Sequence, residues 1–211
     1  VKRRMWIDTD TASDDVVALI VALKHPDIEV VGISVVAGNV PLDMAVQNAL
    51  ITLERCGSRV PVHAGAAAPL CRPLQSAQEV HGNDGMGDIG LDLHGRVPTS
   101  HDGIGAMLDA FRAAPGEIEL VTLGPLTNVA VAVRSEPKFA KWAKRCVCMA
   151  GTGVLPGNVT PLSEFNVWAD PEAAHVVFES GLLVEMVGWD VSWQDAAISD
   201  GLAAELRAIS P

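Results

Sequence analysis

Met5-Trp6-Ile7-Asp8-Thr9-Asp10-Thr11-Ala12-Ser13-Asp14-Asp15-Val16-Val17-Ala18-Leu19 is the stretch on which the reading of this chain turns. Its first three residues form a short apolar run that leads into a polar loop. From Asp14 to Lys24 the pattern becomes amphipathic, as a helix requires. The loop carries four carboxylates within eight residues: Asp8, Asp10, Asp14 and Asp15. Asp8 and Asp10 share one side of an extended chain. Asp14 and Asp15 fall in the first helical turn, where the macrodipole favours anions. Crowding carboxylates this closely is unfavourable unless some protonate or a cation joins them. An all-oxygen ligand set selects a hard ion, and calcium suits irregular geometry better than magnesium. Taken singly, each aspartate reads as a solvated loop residue or a helix-start residue. Taken together at the end of a strand, they read as a metal site.

Outward from this unit, short apolar runs alternate with helical patterns. Ile28 to Val36 is β-branched and nearly continuous in apolar residues, as a strand covered on both faces should be. Further strands are expected at Pro61 to His63, Ile118 to Leu123, Cys146 to Ala150 and Leu183 to Val187. Helices are expected at Leu42 to Arg55, Gly103 to Ala113, Leu126 to Arg134, Pro171 to Ser180 and Asp200 to Ile209. A Gly-rich loop runs from His81 to Gly90. Repeated βα units imply an α/β fold: a mostly parallel central sheet with helices on both faces. No repeat, low-complexity tract or linker interrupts it, so residues 1–211 read as a single domain. In such folds ligands bind beyond the carboxyl ends of the strands, and the polar clusters all follow strands.

Composition narrows the partners. A net charge of −11 argues against nucleic-acid or anionic-membrane surfaces, which call for basic patches. It leaves room for a neutral small molecule and for a bound cation. No apolar run reaches transmembrane length, and no signal peptide is read at the N-terminus. The four cysteines, Cys56, Cys71, Cys146 and Cys148, form no CxxC pair. They read as reduced core thiols of a cytoplasmic protein.

The aspartate stretch resembles the DTDxGxDDAxAL signature of the inosine/uridine-preferring nucleoside hydrolases, with Ala12 at the common glycine and Val16 at the common alanine. The resemblance continues through Val36-Ala37-Gly38-Asn39, His81-Gly82-Asn83-Asp84-Gly85-Met86-Gly87 and Leu123-Gly124-Pro125-Leu126-Thr127-Asn128. It resumes at Gly157-Asn158, Glu164-Phe165-Asn166, Asp170-Pro171-Glu172-Ala173-Ala174 and Val187-Gly188-Trp189-Asp190-Val191. It implies a Rossmann-like nucleoside hydrolase fold and hydrolysis of the N-glycosidic bond of ribonucleosides. It implies that Asp10, Asp15 and the Leu123 carbonyl hold Ca²⁺, and that Asp10 takes a proton from metal-bound water. Asp8 would support from behind. Asp14, Asn39, Asn158, Glu164 and Asn166 would bind ribose hydroxyls. Phe165 would pack on sugar or base, a core role being the alternative. His81 would contact the base or relay a proton to it, since a base anion leaves poorly.

Other residues in these motifs read as structural. Asp170 is an N-cap followed by proline at the first helical position. His101-Asp102 is a cap region, and Trp189 and Trp193 are packing residues. Family members run further, through a section with a histidine–aspartate pair, so the fold is read as C-terminally truncated. Exposed apolar surface and self-association are then expected, and the family is commonly dimeric or tetrameric. The alternatives are a catalytically impaired short relative that binds nucleoside or metal without turnover, and a dehalogenase-like phosphatase. Ala12 breaks the DxDx[TV] signature of the latter, and Glu164-Phe165-Asn166 has no role in it.

Overall fold

The computed structural model describes residues 2–209. Six strands, β1 (Arg3–Thr9), β2 (Ile28–Val35), β3 (Val62–Ala64), β4 (Ile118–Thr122), β5 (Arg145–Met149) and β6 (Val184–Val187), form one sheet. Their order is β3-β2-β1-β4-β5-β6, and every pairing is parallel. The chain builds outward from β1 to one edge, then returns to β4 and builds to the other. The topological switch point therefore lies between the carboxyl ends of β1 and β4, where such folds bind ligands.

Period-two alternation along β1 sends Trp6 to one face and Ile7 to the other. On the Ile7 face, α1 (Ser13–Lys24) and α2 (Leu42–Cys56) bury Leu19, Ala45, Val46 and Ala49 against Ile33 and Val35. The Trp6 face is covered by α4 (Gly103–Ala113), α5 (Thr127–Ser135), the single turn α6 (Phe139–Trp142) and α8 (Pro171–Phe178). There Phe111 and Phe139 meet edge to face, with ring centroids 5.1 Å apart. Three short helices, α3 (Gln78–His81), α7 (Phe165–Ala169) and α9 (Trp189–Gln194), lie in the loops after strands, and α10 (Asp200–Ala208) follows.

The expected α/β architecture and the helices on both faces are present. Several local expectations need correction. The third strand begins at Val62 rather than Pro61, and α3, α6, α7 and α9 fall where loops were expected or nothing was assigned. Cys146 and Cys148 are buried thiols, but Cys71 is exposed and Cys56 half-buried. Trp193 is 65% exposed, so it is not a packing residue, although its ring centroid lies 6.1 Å from that of Trp189. Asp102 and Asp170 cap α4 and α8 as expected, accepting from Gly105 N and Ala173 N. Among the described residues no helix is long and apolar enough to cross a membrane.

Candidate active site

β1 delivers its aspartates directly into the switch point. Asp8 is paired in register with Ser34 of β2 and Thr122 of β4. Its Oδ2 accepts from the Ser34 hydroxyl and from Asn128 Nδ2 at 2.8 Å. Asn128 also donates to the Val35 carbonyl at 3.2 Å and accepts from Ala66 N at 2.8 Å. This buried amide ties three strand exits together, a role that no local signal in the sequence announces.

Asp10 lies just beyond the strand and is fully buried. Its Oδ2 accepts from the backbone N–H of Asn39 at 2.6 Å. Its Oδ1 is buried without a hydrogen-bond partner, as is Oδ1 of Asp8. A buried carboxylate oxygen left unpaired is costly, and here two of them lie two residues apart at the switch point. Gly38 and Gly124 make the close approach possible. A β-carbon on Gly38 would overlap Asp10 Oδ2, and one on Gly124 would stand 2.6 Å from Oδ1. The glycines of the β2 and β4 exits thus clasp Asp10 from two sides.

Asp15 sits in the first turn of α1 and accepts from Ala12 N at 2.8 Å, one arm of a capping box. Burial pushes Asp15 up to about 7, with the nearby Asp14 charge adding to it, and hydrogen bonds from Ala12, Thr9 and Asn39 offset part of this. Burial also pushes Asp8 up to about 7. Asp10 is raised well above the usual carboxylate range by burial and then by the Asp15 charge. Asp14 points outward, its side chain 76% exposed, with Oδ1 3.8 Å from His81 Nδ1.

The second wall follows β4 and β5. Asn166 Nδ2 donates to the carbonyls of Leu123 at 2.8 Å and Met149 at 3.0 Å, bridging two strand ends. The Leu123 carbonyl keeps a second lone pair for another partner. Glu164, 2% exposed, caps α7 by accepting from Asn166 N at 2.9 Å and Val167 N at 3.3 Å, and it also accepts from Gly151 N at 2.7 Å. Burial raises its pKa in spite of these bonds. Asn158 lies exposed in the loop before α7 and accepts from Phe165 N at 2.9 Å. Phe165 packs with Ala77, Ala169 and Trp168, so α7 touches the start of α3.

All the expected site residues therefore lie at the carboxyl ends of β1 to β5 or in the connections that follow, His81 coming after β3. Asp10, Asp15 and Asn39 form one contiguous group, and Leu123, Glu164 and Asn166 a second. Asn158 and Phe165 belong to the loop and helix beyond them, and His81 and Asp14 meet at the rim. Cavities of about 290 Å³ and 180 Å³ lie to the side, between α2 and the Gly-rich loop and between α1 and α2.

The donor set bears on a cation. Among the described residues no group of three or more histidine, cysteine, aspartate or glutamate side chains converges on one point. Asp10 and Asp15 supply two carboxylates and Leu123 a carbonyl. These are all hard oxygens, and one of them is an orphaned carboxylate oxygen. The chemistry of these donors fits a hard divalent cation, which would need further oxygen ligands besides them.

Comparison with known proteins bears on the whole arrangement. Residues 5–210 match the family described as inosine-uridine preferring nucleoside hydrolase. The chain is 38% identical over 210 residues to the pyrimidine-specific ribonucleoside hydrolase RihB of Escherichia coli strain SE11, covering 100% of this chain and 67% of that protein. A solved inosine-guanosine nucleoside hydrolase superposes with a TM-score of 0.89 at 32% identity, covering 99% of this chain and 68% of that one. A plant nucleoside hydrolase gives 0.88 at 36% identity, with 92% of this chain and 62% of that one covered. The chain thus spans about two thirds of the length of the proteins it resembles.

Proposed function

The chain belongs to the inosine-uridine preferring nucleoside hydrolase family, and from that premise we propose that it hydrolyses the N-glycosidic bond of ribonucleosides to ribose and free base. The observation that carries this reading is Asp10: a buried carboxyl at the switch point, fixed through one oxygen and orphaned at the other.

Ca²⁺ is the proposed cofactor, held by Asp10, Asp15 and the Leu123 carbonyl. When bound it would polarise a water and grip the ribose diol. Asp10 is the general base. The Asn39 N–H holds Oδ2, so Oδ1 is the atom that accepts the proton of the attacking water. Asp14, exposed at the rim, accepts hydrogen bonds from ribose hydroxyls. Asn39, Asn158, Glu164 and Asn166 hold the rest of the sugar, and Phe165 packs beside it. Together they favour a flattened, oxocarbenium-like ring over the resting sugar. His81 serves the base side.

The similar proteins divide between a pyrimidine-specific and an inosine-guanosine hydrolase, so either class of base is compatible with this reading. Residues 1–211 are read as one domain working in the cytoplasm on a small nucleoside, with no nucleic-acid or membrane partner. A homo-oligomer, dimer or tetramer, belongs to the same reading.

The test is release of reducing sugar from inosine and uridine with Ca²⁺ present, beside Asp10→Ala. Ribose release that falls by about 10³-fold in the variant is expected. Equal release from both proteins would refute the assignment.

A further inference from the structure

The β1–α1 loop and α3 meet at a side-chain contact that the proposed chemistry has not used. Ser13 Oγ lies 3.0 Å from His81 Nδ1, across 68 residues of sequence. Ser13 opens α1, where the Asp15 carboxylate already satisfies the cap N–H of Ala12. The Ser13 hydroxyl is therefore left for another partner. α3 is one turn of four residues, too short to hold its direction by internal hydrogen bonds. Its backbone is pinned from outside. Ala77 N–H donates to the Asn39 carbonyl at 2.9 Å and Gly87 N–H to the His81 carbonyl at 2.8 Å. Those bonds fix where His81 starts but not how its ring turns. Ser13 supplies that, since Nδ1 is the ring nitrogen it engages and Nε2 makes no hydrogen bond to the described residues.

We propose that Ser13 is a positioning residue for His81. Its hydroxyl donates to Nδ1, selects the tautomer with the proton on Nε2, and so presents an N–H to an acceptor atom of the nucleobase. A neutral imidazole has one donor and one acceptor nitrogen, and occupying Nδ1 as the acceptor makes Nε2 the donor. The departing base gains negative charge as the glycosidic bond stretches. A donor aimed at one of its acceptors therefore binds the transition state more strongly than the ground state. At 3.8 Å the Asp14 carboxylate lies beyond hydrogen-bond reach of the same ring nitrogen, so Ser13 is the partner that sets the tautomer. The base contact rests on the nucleoside hydrolase reading, whereas the tautomer does not.

Two readouts separate these. Long-range ¹H–¹⁵N spectra of the histidine-labelled chain, with His81 assigned by the signal lost in His81→Gln, report the tautomer directly. The Nε2–H form is expected in the wild type and in Ser13→Thr, and a mixture in Ser13→Ala. In steady-state kinetics, kcat on uridine or inosine should fall about 10-fold in Ser13→Ala with KM within about 2-fold, and Ser13→Thr should restore it. On p-nitrophenyl riboside, whose leaving group needs no donor, the loss should be smaller. An Nδ1–H tautomer in the wild type, or a tautomer and kcat unchanged in Ser13→Ala, overturns the proposal. Absence of ribose release from the wild type would sink the hydrolase reading and the base contact with it, while the spectra still decide the link between Ser13 and His81.

Discussion

The two ends of this sheet treat buried carboxylates in opposite ways. At the amino ends, Glu119 of β4 has a side chain only 3% exposed and is gripped by three cations: Arg3 at 2.6 Å, Arg145 at 2.9 Å and Lys144 at 3.3 Å. Hydrogen bonds from Arg3, and then from Arg145 and Lys144, pull its carboxyl down to about 2. At the carboxyl ends, Asp8, Asp10 and Asp15 pair with no cation among the described residues, and burial drives all three upward. One end compensates its charge and is stabilised by it. The other end leaves charge uncompensated, which destabilises the fold and creates affinity for whatever brings positive charge and hydroxyl donors. Such pairing of perturbed carboxylates with a switch point is where function is expected.

The contrast can be broken by mutation. The largest effect should come from Asp10→Asn, which keeps the shape of the side chain and removes its basicity. Ribose release should fall by about 10³-fold, measured as initial rate. Next is Gly38→Ala, whose methyl would overlap Asp10 Oδ2. We expect about 1–3 kcal/mol of lost stability by denaturant titration, with a disproportionate fall in turnover because the strain lands on Asp10. Glu119→Ala, at the other end, should cost about 2 kcal/mol, discounted because its three partners are one-third to one-half exposed, and turnover per folded molecule should be unchanged. The smallest effect is expected from Arg72→Ala, which breaks a pair with Glu172 that is more than one-third exposed on both sides. Its denaturation midpoint should stay at the wild-type value, because an exposed pair is screened by solvent.

The pH dependence should separate the two ends as well. Glu119 has a depressed pKa, so its contribution is present above about 4.5 and lost as pH falls toward about 2. Asp8 and Asp15 are raised to about 7. Their neutral forms suit the fold, so stability is highest below about pH 4 for these groups and decays as pH rises to about 7. In chelator, the melting temperature should therefore decline from pH 5 to pH 8, and Ca²⁺ should flatten the decline. A melting temperature that rises across that interval in chelator would contradict the shifts.

How much of this was legible beforehand depended on the range of the interactions. The alternation of strands and helices reads directly from periodicity, and the aspartate cluster stands out because one carboxylate stands near the end of, and three follow, a strand buried on both faces. The order of the strands is set by contacts across the whole chain, and periodicity carries nothing about it. Asn128 shows the same limit, since its bond to Asp8 spans 120 residues. Glu164 was read only as a sugar ligand, because glutamate is not among the preferred N-cap residues. In the fold it caps α7 and holds Gly151 as well. The single-turn helices α3 and α6 are shorter than the window in which helical periodicity shows. The expectation that Trp193 packs fails because a large aromatic residue after the last strand can equally face outward, as Trp193 does.

Calorimetric melting of the wild type and Asp10→Asn, each in chelator and in Ca²⁺, decides whether Asp10 is the uncompensated acid that a cation relieves. Asp10→Asn is expected to melt higher than the wild type in chelator, because it removes a buried uncompensated acid. Ca²⁺ is expected to raise the melting temperature of the wild type and to leave the variant nearly unmoved. A variant that melts lower in chelator, or that gains as much from Ca²⁺ as the wild type, would mean that Asp10 is an ordinary structural carboxyl and that the carboxyl end of the sheet holds no cation through it.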